Sequence, residues 1–193
     1  MIESLYDSFK WWSEKGSVWI ISDTHFEDSD SKLMDPNWIN PEEQIKILNK
    51  YVHKNDTLIH LGDVGNPEWM KYIKGYKVLL MGNHDEGKTN FIPYFNEVYE
   101  GCLFIGKKLL LSHEPVIVDY ALNIHGHDHS GKAYPHEEYP DYHHINLAAN
   151  IIDYTPVSLK DIIKNVGMSK IKSIHRKTID KATEKKKEKE LII

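Results

Sequence analysis

A chain of 193 residues has the size of one ordinary domain and is long enough to bury a proper hydrophobic core. Its 40% hydrophobic and 27% charged residues are typical of a globular protein and exclude a disordered or membrane-embedded chain. The formal net charge is −5, although one C-terminal segment is basic. No apolar run approaches the roughly 18 residues that cross a bilayer, so we expect no membrane partner.

The N-terminal stretch and the cysteine count indicate a compartment. MIESLYDSFKWWSEKG mixes acids, lysines and tryptophans and lacks the apolar stretch of a signal peptide. The single cysteine, Cys102, excludes an intrachain disulfide and a thiolate metal cluster. We therefore expect a cytoplasmic protein.

The first half of the chain alternates predicted strands and helices. Short apolar runs bounded by Gly, Asp or Asn predict strands over Ser17–Ser22, Thr57–Leu61 and Tyr76–Met81. Helices are predicted from Pro41, which precedes two acids and an apolar stripe, and over Pro67–Ile73. The intervening segment Glu27–Asn40 is polar, and we expect an irregular connection that forms either a wall of a pocket or a plain link.

The second half is richer in strands. Val98–Ile105 and Lys107–Ser112 flank Gly106 and predict a β-hairpin. Further strands are expected over Ala121–His125 and Ile145–Ala149, with a short helix over Ser158–Asn165. This order predicts an α/β (α+β) protein with a mixed sheet or two sheets.

The C-terminal segment differs in kind, because Lys170–Glu190 holds nine Lys or Arg residues against four acids. We predict one domain over residues 1–168, followed by a basic helical tail over 169–193 that is exposed to solvent. Basic runs also attract phosphate backbones, so nucleic acid is a possible but not a favoured partner.

Histidines and carboxylates cluster where predicted strands end. The residues that follow one strand after another are Asp23, His25, Asp63, Asn83, His84, Asp85, His113, His127 and His129. Strand ends in an α/β sheet are where ligands usually bind, so these segments are expected to converge on one site. Each Asp or Asn alone would be an ordinary turn or cap residue; the ordered set favours a shared site.

Carboxylate, imidazole and amide ligands without sulfur suit Mn, Fe, Zn or Ni better than Ca or Mg. The candidates outnumber what one ion can use. Two divalent cations about 3.5 Å apart, bridged by a shared carboxylate, would use them and would form a phosphoryl-transfer site. Asp63, alone after its glycine, is the natural bridge.

These blocks resemble the calcineurin-like metallophosphoesterases. DTH (Asp23–His25), GD (Gly62–Asp63), GNHD (Gly82–Asp85), SH (Ser112–His113) and GHDH (Gly126–His129) occur in the family's order. The resemblance implies a two-sheet β-sandwich flanked by helices, a four-layer fold, with a dinuclear metal site at one edge.

Carried over by position, the resemblance assigns ligands to two ions, with Mn favoured. One ion would be held by Asp23, His25, Asp63 and His129, and the other by Asp63, Asn83, His113 and His127. It implies attack on phosphorus by a metal-bound hydroxide, charge stabilisation by the metals and Asn83, and protonation of the leaving group by His84. Asp85 is expected to orient a histidine.

Departures from the protein phosphatases of this superfamily bear on the substrate. Asn66 stands where they have the aspartate that supports the histidine acid, and Arg176 is the only arginine of the chain. A dianionic monoester clamped by arginines is therefore not expected. A small or nucleotide-like phosphodiester, with one negative charge, is the better match.

Two other functions stay open. A nuclease could use the same site on single-stranded nucleic acid, with the basic tail as an anchor. A non-catalytic scaffold that binds a protein partner is less favoured, because every ligand position and His84 are filled. Among the remaining histidines, His125 is expected to pack in a strand or support a ligand. His136, His143 and His144 are expected in a tyrosine-rich surface loop beside the site.

Overall fold

The computed structural model describes residues 1–131, 143–171 and 181–188, and the fold contains two mixed β-sheets. The first sheet has the order β4-β3-β2-β1-β9. Its strands are β1 (Val18–Ile21), β2 (Thr57–His60), β3 (Tyr76–Leu80), β4 (Glu97–Tyr99) and β9 (Val157–Ser158). The strands from β1 to β4 are parallel, and β9 pairs antiparallel with β1. Their carboxyl ends therefore lie at one edge of the sheet.

The second sheet has the order β5-β6-β7-β8. Its strands are β5 (Leu103–Gly106), β6 (Leu109–Leu111), β7 (Leu122–His125) and β8 (His144–Asn146). The β5–β6 pair is antiparallel, whereas β6, β7 and β8 are parallel. This sheet also presents the ends of several strands at a common edge.

Apolar residues on both faces of the first sheet are buried, as expected for parallel strands. Residues such as Ile20, Ile59 and Val78 share one hydrophobic core with Leu111, Leu122 and Ile124 of the second sheet. Their sequence neighbours Ile21, Leu58 and Leu79 belong to a second core with Leu48 and Val52. The predicted sandwich of two sheets flanked by helices is confirmed.

Four α-helices and four 3-10 helices lie within residues 1–131 and 143–171. The α-helices are α1 (Ser31–Met34), α2 (Pro41–Tyr51), α3 (Lys88–Phe91) and α4 (Leu159–Val166), and the 3-10 helices are Asp7–Ser13, Pro67–Tyr72, Ala149–Ile152 and Met168–Lys170. Helix α2 begins at the predicted proline, because the Asn40 side chain caps it by accepting the backbone N–H of Glu43 at 2.9 Å. No helix in these ranges is long and apolar enough to cross a membrane.

Three predictions about elements need correction. Val98–Ile105 is not one strand of a hairpin: the chain leaves β4, turns at the exposed Gly101 and Cys102, and enters the other sheet as β5. The predicted helix at Pro67 is a 3-10 helix. Segment 27–40 is not wholly irregular, because it contains α1.

The C-terminal prediction falls largely outside the described residues, since 172–180 and 189–193 are not among them. Residues 181–188 are helical and exposed. His136 and the tyrosines predicted beside it lie in 132–142, also outside the described ranges.

Candidate metal centre

Loops that follow five strands bring the predicted ligands to one edge of the sandwich. In the first sheet, Asp23 and His25 follow β1, Asp63 follows β2, and Asn83 follows β3. In the second sheet, β6 and β7 lead to His113 and to His127 and His129. All seven residues lie in two adjoining groups.

The first group joins Asp23, His25 and His129, each offering one ligand atom within 4.8 Å of the others. His129 Nε2 lies 3.6 Å from Asp23 Oδ1. Within the described part of the chain, Asp23 Oδ1 and His25 Nε2 are buried without a hydrogen-bond partner. Buried polar atoms are nearly always satisfied. A cation bound here would satisfy both, so these residues fit a divalent metal ion.

The second group joins Asp63, His113 and His127. His113 Nε2 lies 3.1 Å from His127 Nδ1 and 3.3 Å from Asp63 Oδ2. Asn83 completes the group, because its Oδ1 lies 2.8 Å from His113 Nε2 and 3.0 Å from His127 Nδ1. One carboxylate, one amide oxygen and two imidazoles thus face a common point, a donor set suited to a transition metal.

Asp63 lies between the two groups. Its Oδ2 is 3.3 Å from His113 Nε2 and 3.7 Å from His25 Nε2, so the same oxygen faces both. Burial raises the pKa of Asp63, but the hydrogen bond and charge of His113, together with the backbone N–H of His84, lower it to about 2. The carboxylate is therefore ionised at neutral pH, as metal binding requires.

His113 has the opposite shift. Burial lowers its pKa, but the hydrogen bond with Asp63 and the charges of Asp23 and Asp63 raise it above the ordinary value. Because a metal ligand must be deprotonated, protons and cations compete for this ring.

Sharp backbone turns carry these side chains to the site. Asp23, His25, Asp63 and His127 have φ values of 57°, 41°, 55° and 68°, a left-handed region that costs non-glycine residues energy and is concentrated at functional sites. Bonds between loops hold the turns: the His127 N–H donates to Asp23 Oδ2 at 2.9 Å, and the Asp23 N–H donates to Gly62 O at 2.9 Å.

Gly126 allows the two sheets to approach each other at the site. A Cβ atom at this position would lie 2.1 Å from Asp23 Oδ2 and 2.1 Å from Ser22 Oγ. Any side chain would therefore push the β7 loop away from the β1 loop. This is the role expected for a glycine before two ligands.

Sequence reasoning missed the residues that orient the ligands. His25 Nδ1 donates to Asp28 Oδ2 at 2.8 Å, and His129 Nδ1 donates to Asn150 Oδ1 at 3.1 Å. The Trp38 ring packs against both histidines, with centroid distances of 5.6 and 5.5 Å. Of these residues, only Asn150 could have been predicted from the sequence, because it comes shortly after a strand, as the ligands do.

The three predicted catalytic residues occupy different places. Asn83 belongs to the second group. His84 is exposed, its backbone N–H donates to Asp63 Oδ1 at 2.9 Å, and its ring lies 5.7 Å from that of His25. It therefore lies at the rim of the site, outside both ligand groups.

Asp85 does not orient a histidine as predicted. Its two carboxylate oxygens accept backbone N–H groups of Asp63, Val64 and Gly82 at 2.9, 3.0 and 2.9 Å. Asp85 follows a tight turn, so its side chain points back at the β2 loop. It fixes the loop that carries Asp63.

Three other histidines are buried and lie outside the ligand groups. His125 ends β7, and its Nδ1 donates to Gly126 O at 2.8 Å, consistent with strand packing. His144 is not in a surface loop as predicted: it begins β8, with Nε2 3.0 Å from Val116 O. Burial lowers the pKa of His60 to about 3, so this ring stays neutral.

Asn66, the residue that departs from the phosphatase pattern, directs its side-chain hydrogen bonds to Glu27 and Glu68 and to neither ligand group. Its Oδ1 accepts the Glu68 N–H at 3.1 Å, and its Nδ2 donates to Glu27 Oε2 at 2.5 Å. It caps the 3-10 helix that begins at Pro67.

Comparison with known proteins gives two relatives. An uncharacterized protein of Methanocaldococcus jannaschii is 31% identical over 176 residues, which cover 80% of this chain and 93% of that protein. A protein of unknown function from Aquifex aeolicus has a crystal structure similar to this fold, with a TM-score of 0.62 and 26% identity. The similarity covers 77% of this chain and 98% of the other.

The family comparison agrees with the geometry of the site. Residues 16–185 match the calcineurin-like phosphoesterase family, and this range includes strands β1 to β9 and both ligand groups. That family implies metal-dependent hydrolysis of phosphoester bonds. The chain belongs to the calcineurin-like phosphoesterases.

Proposed function

We propose that the protein is a phosphodiesterase that binds two divalent cations, with Mn²⁺ favoured, and hydrolyses a small or nucleotide-like phosphodiester. The observation that carries this proposal is Asp63, whose Oδ2 faces both His25 and His113. One carboxylate oxygen shared by two ligand groups is the arrangement that a dinuclear site needs.

The residues would divide their roles as follows. Asp23, His25 and His129 would hold one cation, Asn83, His113 and His127 the other, and Asp63 would contact both. The cations would lower the pKa of a water molecule and neutralise charge on the phosphoryl group. Asn83 Nδ2, on the same amide as the ligand oxygen, would donate to a phosphoryl oxygen.

His84 would supply the proton that the leaving group takes up. Its ring is exposed at the rim, so it can reach a substrate that is bound over the two groups. A general acid typically contributes 10²–10⁴-fold, and it contributes most when the leaving oxygen is strongly basic.

The charge around the centre favours a diester. Among the described residues, the side chains that hydrogen-bond to the ligand groups or stack on them include carboxylates, amides, histidines and Trp38. The only arginine, Arg176, lies outside the described residues. A monoester dianion usually depends on arginines to balance its second charge, whereas a diester carries one negative charge.

The test is a comparison of substrates with Mn²⁺-loaded protein. We expect bis-p-nitrophenyl phosphate to be cleaved with a higher kcat/KM than p-nitrophenyl phosphate. Asp63→Asn should reduce activity on both by at least about 10²-fold, since it weakens both ligand groups. His53→Ala, an exposed histidine after α2, serves as the control and should match the wild type.

His84→Ala separates proton donation from metal binding. Its kcat should fall by about 10²-fold or more on a 2′,3′-cyclic nucleotide, whose leaving alkoxide needs a proton, and much less on p-nitrophenyl esters. A clear preference for the monoester would refute the diesterase assignment. Absence of cleavage with Mn²⁺, Fe²⁺, Zn²⁺ and Ni²⁺ would refute the enzyme assignment.

A further inference from the structure

A cleft of about 410 Å³ opens beside the metal centre on the side of His129. The residues that line it are Met34, Asp35, Pro36, His129, Ser130 and Asn150. Its volume falls within the range of small-molecule sites. Because His129 belongs to both the first ligand group and the cleft wall, a diester bound at the centre can extend one esterified group into this cleft.

Among the described residues that line the cleft, Asp35 and Ser130 offer hydrogen-bond acceptors. Asp35 Oδ1 accepts the backbone N–H of Asn37 at 2.9 Å, while Oδ2 has only a long contact of 3.4 Å with Asn150 Nδ2. Ser130 Oγ donates its hydrogen to Asp128 Oδ1 at 2.9 Å, which leaves its lone pairs to accept. Asp35 and Ser130 therefore favour a ligand that donates hydroxyl or amine hydrogens.

Asn150 is already used by the protein. Its Nδ2 donates to the His129 backbone oxygen at 3.0 Å, and its Oδ1 accepts from His129 Nδ1 at 3.1 Å. None of the described residues that line the cleft is a lysine or an arginine. The described lining thus offers an anionic group no lysine or arginine and places the Asp35 carboxylate against it.

Apolar surface flanks these acceptors. Met34 is 40% exposed and lines the cleft with Pro36, and its neighbour Leu33 is 83% exposed. A ligand with an apolar face and hydroxyl groups would use both kinds of surface.

We propose that this cleft is the subsite for an uncharged, hydroxyl-bearing group such as a nucleoside, and that it rejects a further phosphate on that group. The inference rests on the proposed phosphodiesterase function and adds a substrate class to it. Asp35 is the residue that determines this specificity.

The test uses two substrates that differ by one phosphate: p-nitrophenyl thymidine 5′-phosphate with a free 3′-hydroxyl, and the same ester with a 3′-phosphate. With Mn²⁺-loaded wild type, we expect kcat/KM to be about tenfold or more higher for the free hydroxyl, because like charges repel. Asp35→Asn keeps the size of the side chain but removes its charge, so the preference should fall to within about threefold.

Asp30→Asn is the matched control. Asp30 is exposed, lies in the same segment and does not line the cleft, so this variant removes the same charge and should keep the wild-type preference. Equal cleavage of the two nucleotides by the wild type would overturn the inference. So would an unchanged preference in Asp35→Asn, or an equal loss of preference in Asp30→Asn.

Bis-p-nitrophenyl phosphate, assayed in parallel, distinguishes the two failures. Cleavage of this diester without a preference between the nucleotides refutes the subsite alone. Failure to cleave any of the three substrates refutes the proposed function and the subsite with it.

Discussion

Three of the four histidine ligands have a second ring nitrogen that faces away from the centre and is hydrogen-bonded by the protein. The Nδ1 atoms of His25, His113 and His129 donate to Asp28 Oδ2, Leu61 O and Asn150 Oδ1 at 2.8, 2.9 and 3.1 Å. Such contacts fix the tautomer, so that Nε2 carries the lone pair toward the metal, and they also fix the plane of the ring.

Asp28→Asn tests this orientation. The variant keeps Oδ1, which accepts the Asp30 N–H at 2.9 Å and shapes the turn, but an NH2 group that cannot accept a hydrogen bond replaces Oδ2 at His25 Nδ1. We expect the dissociation constant for Mn²⁺ to rise by about 10–100-fold. The electron paramagnetic resonance signal of free Mn²⁺ during a titration gives this constant without an activity assay.

Asp30→Asn controls for the lost charge, because Asp30 is exposed and belongs to the same turn. It should bind Mn²⁺ as the wild type does. If both variants weaken binding equally, the effect comes from the net charge of the turn and not from the His25 contact.

The difference between predicted and missed residues has a physical basis. Asp63 and His127 could be predicted because each follows an apolar strand inside a recognisable block. Asp28 and Trp38 sit in a polar loop, and their contacts with His25 depend on how that loop folds back over β1. A role for Asp85 at the site could be predicted from its block, but the direction of its carboxylate depends on the turn after β3.

At the scale of elements, the short edge strand β4 is held by a carboxylate. Glu97 Oε1 accepts from Trp12 Nε1 at 3.2 Å and from the Tyr76 hydroxyl at 3.0 Å, and Oε2 accepts from the Tyr99 hydroxyl at 2.5 Å. Burial, together with the hydrogen bond to Glu97 and the charge of that residue, raises the pKa of Tyr76 to about 12. Glu97 thereby ties β4 to β3 and to the 3-10 helix Asp7–Ser13.

Glu97→Gln should lower the free energy of unfolding by about 1–3 kcal/mol, because the amide offers one acceptor oxygen where the carboxylate offers two. Urea denaturation measures this change. Glu100→Gln is the control: its contact with Lys88 Nζ is 3.9 Å long and exposed, so its loss should cost less than about 1 kcal/mol. Equal destabilisation by both variants would show that the Glu97 network contributes nothing specific.

The break between β4 and β5 could not be predicted from the sequence pattern. Residues 98–105 are mostly apolar and are interrupted only by Glu100 and Gly101, so local periodicity cannot distinguish them from a single strand. In the structure β4 pairs with β3, and β5 pairs with β6 in the other sheet. Which sheet a short strand joins depends on long-range pairing, and the sequence pattern contains no such information.

At the scale of the whole molecule, each ligand group draws on both sheets. The first combines Asp23 and His25, which follow β1, with His129, which follows β7. The second combines Asp63 and Asn83 of the first sheet with His113 and His127 of the second. Bound cations would therefore cross-link the two halves of the sandwich, and metal binding should be coupled to folding.

Metal removal measures this coupling. At a free Mn²⁺ concentration 100 times the dissociation constant, a site that exists only in the folded state stabilises it by about 2.7 kcal/mol. For a domain of this size, that corresponds to a rise in Tm of about 5–10 °C relative to protein in EDTA. Asp63→Asn should lose most of this increment, since Asp63 faces both groups, whereas Glu100→Gln should retain it. Differential scanning calorimetry of the three proteins with and without Mn²⁺ gives the six Tm values, and an equal metal-dependent rise in Asp63→Asn and wild type would show that the cations bind elsewhere.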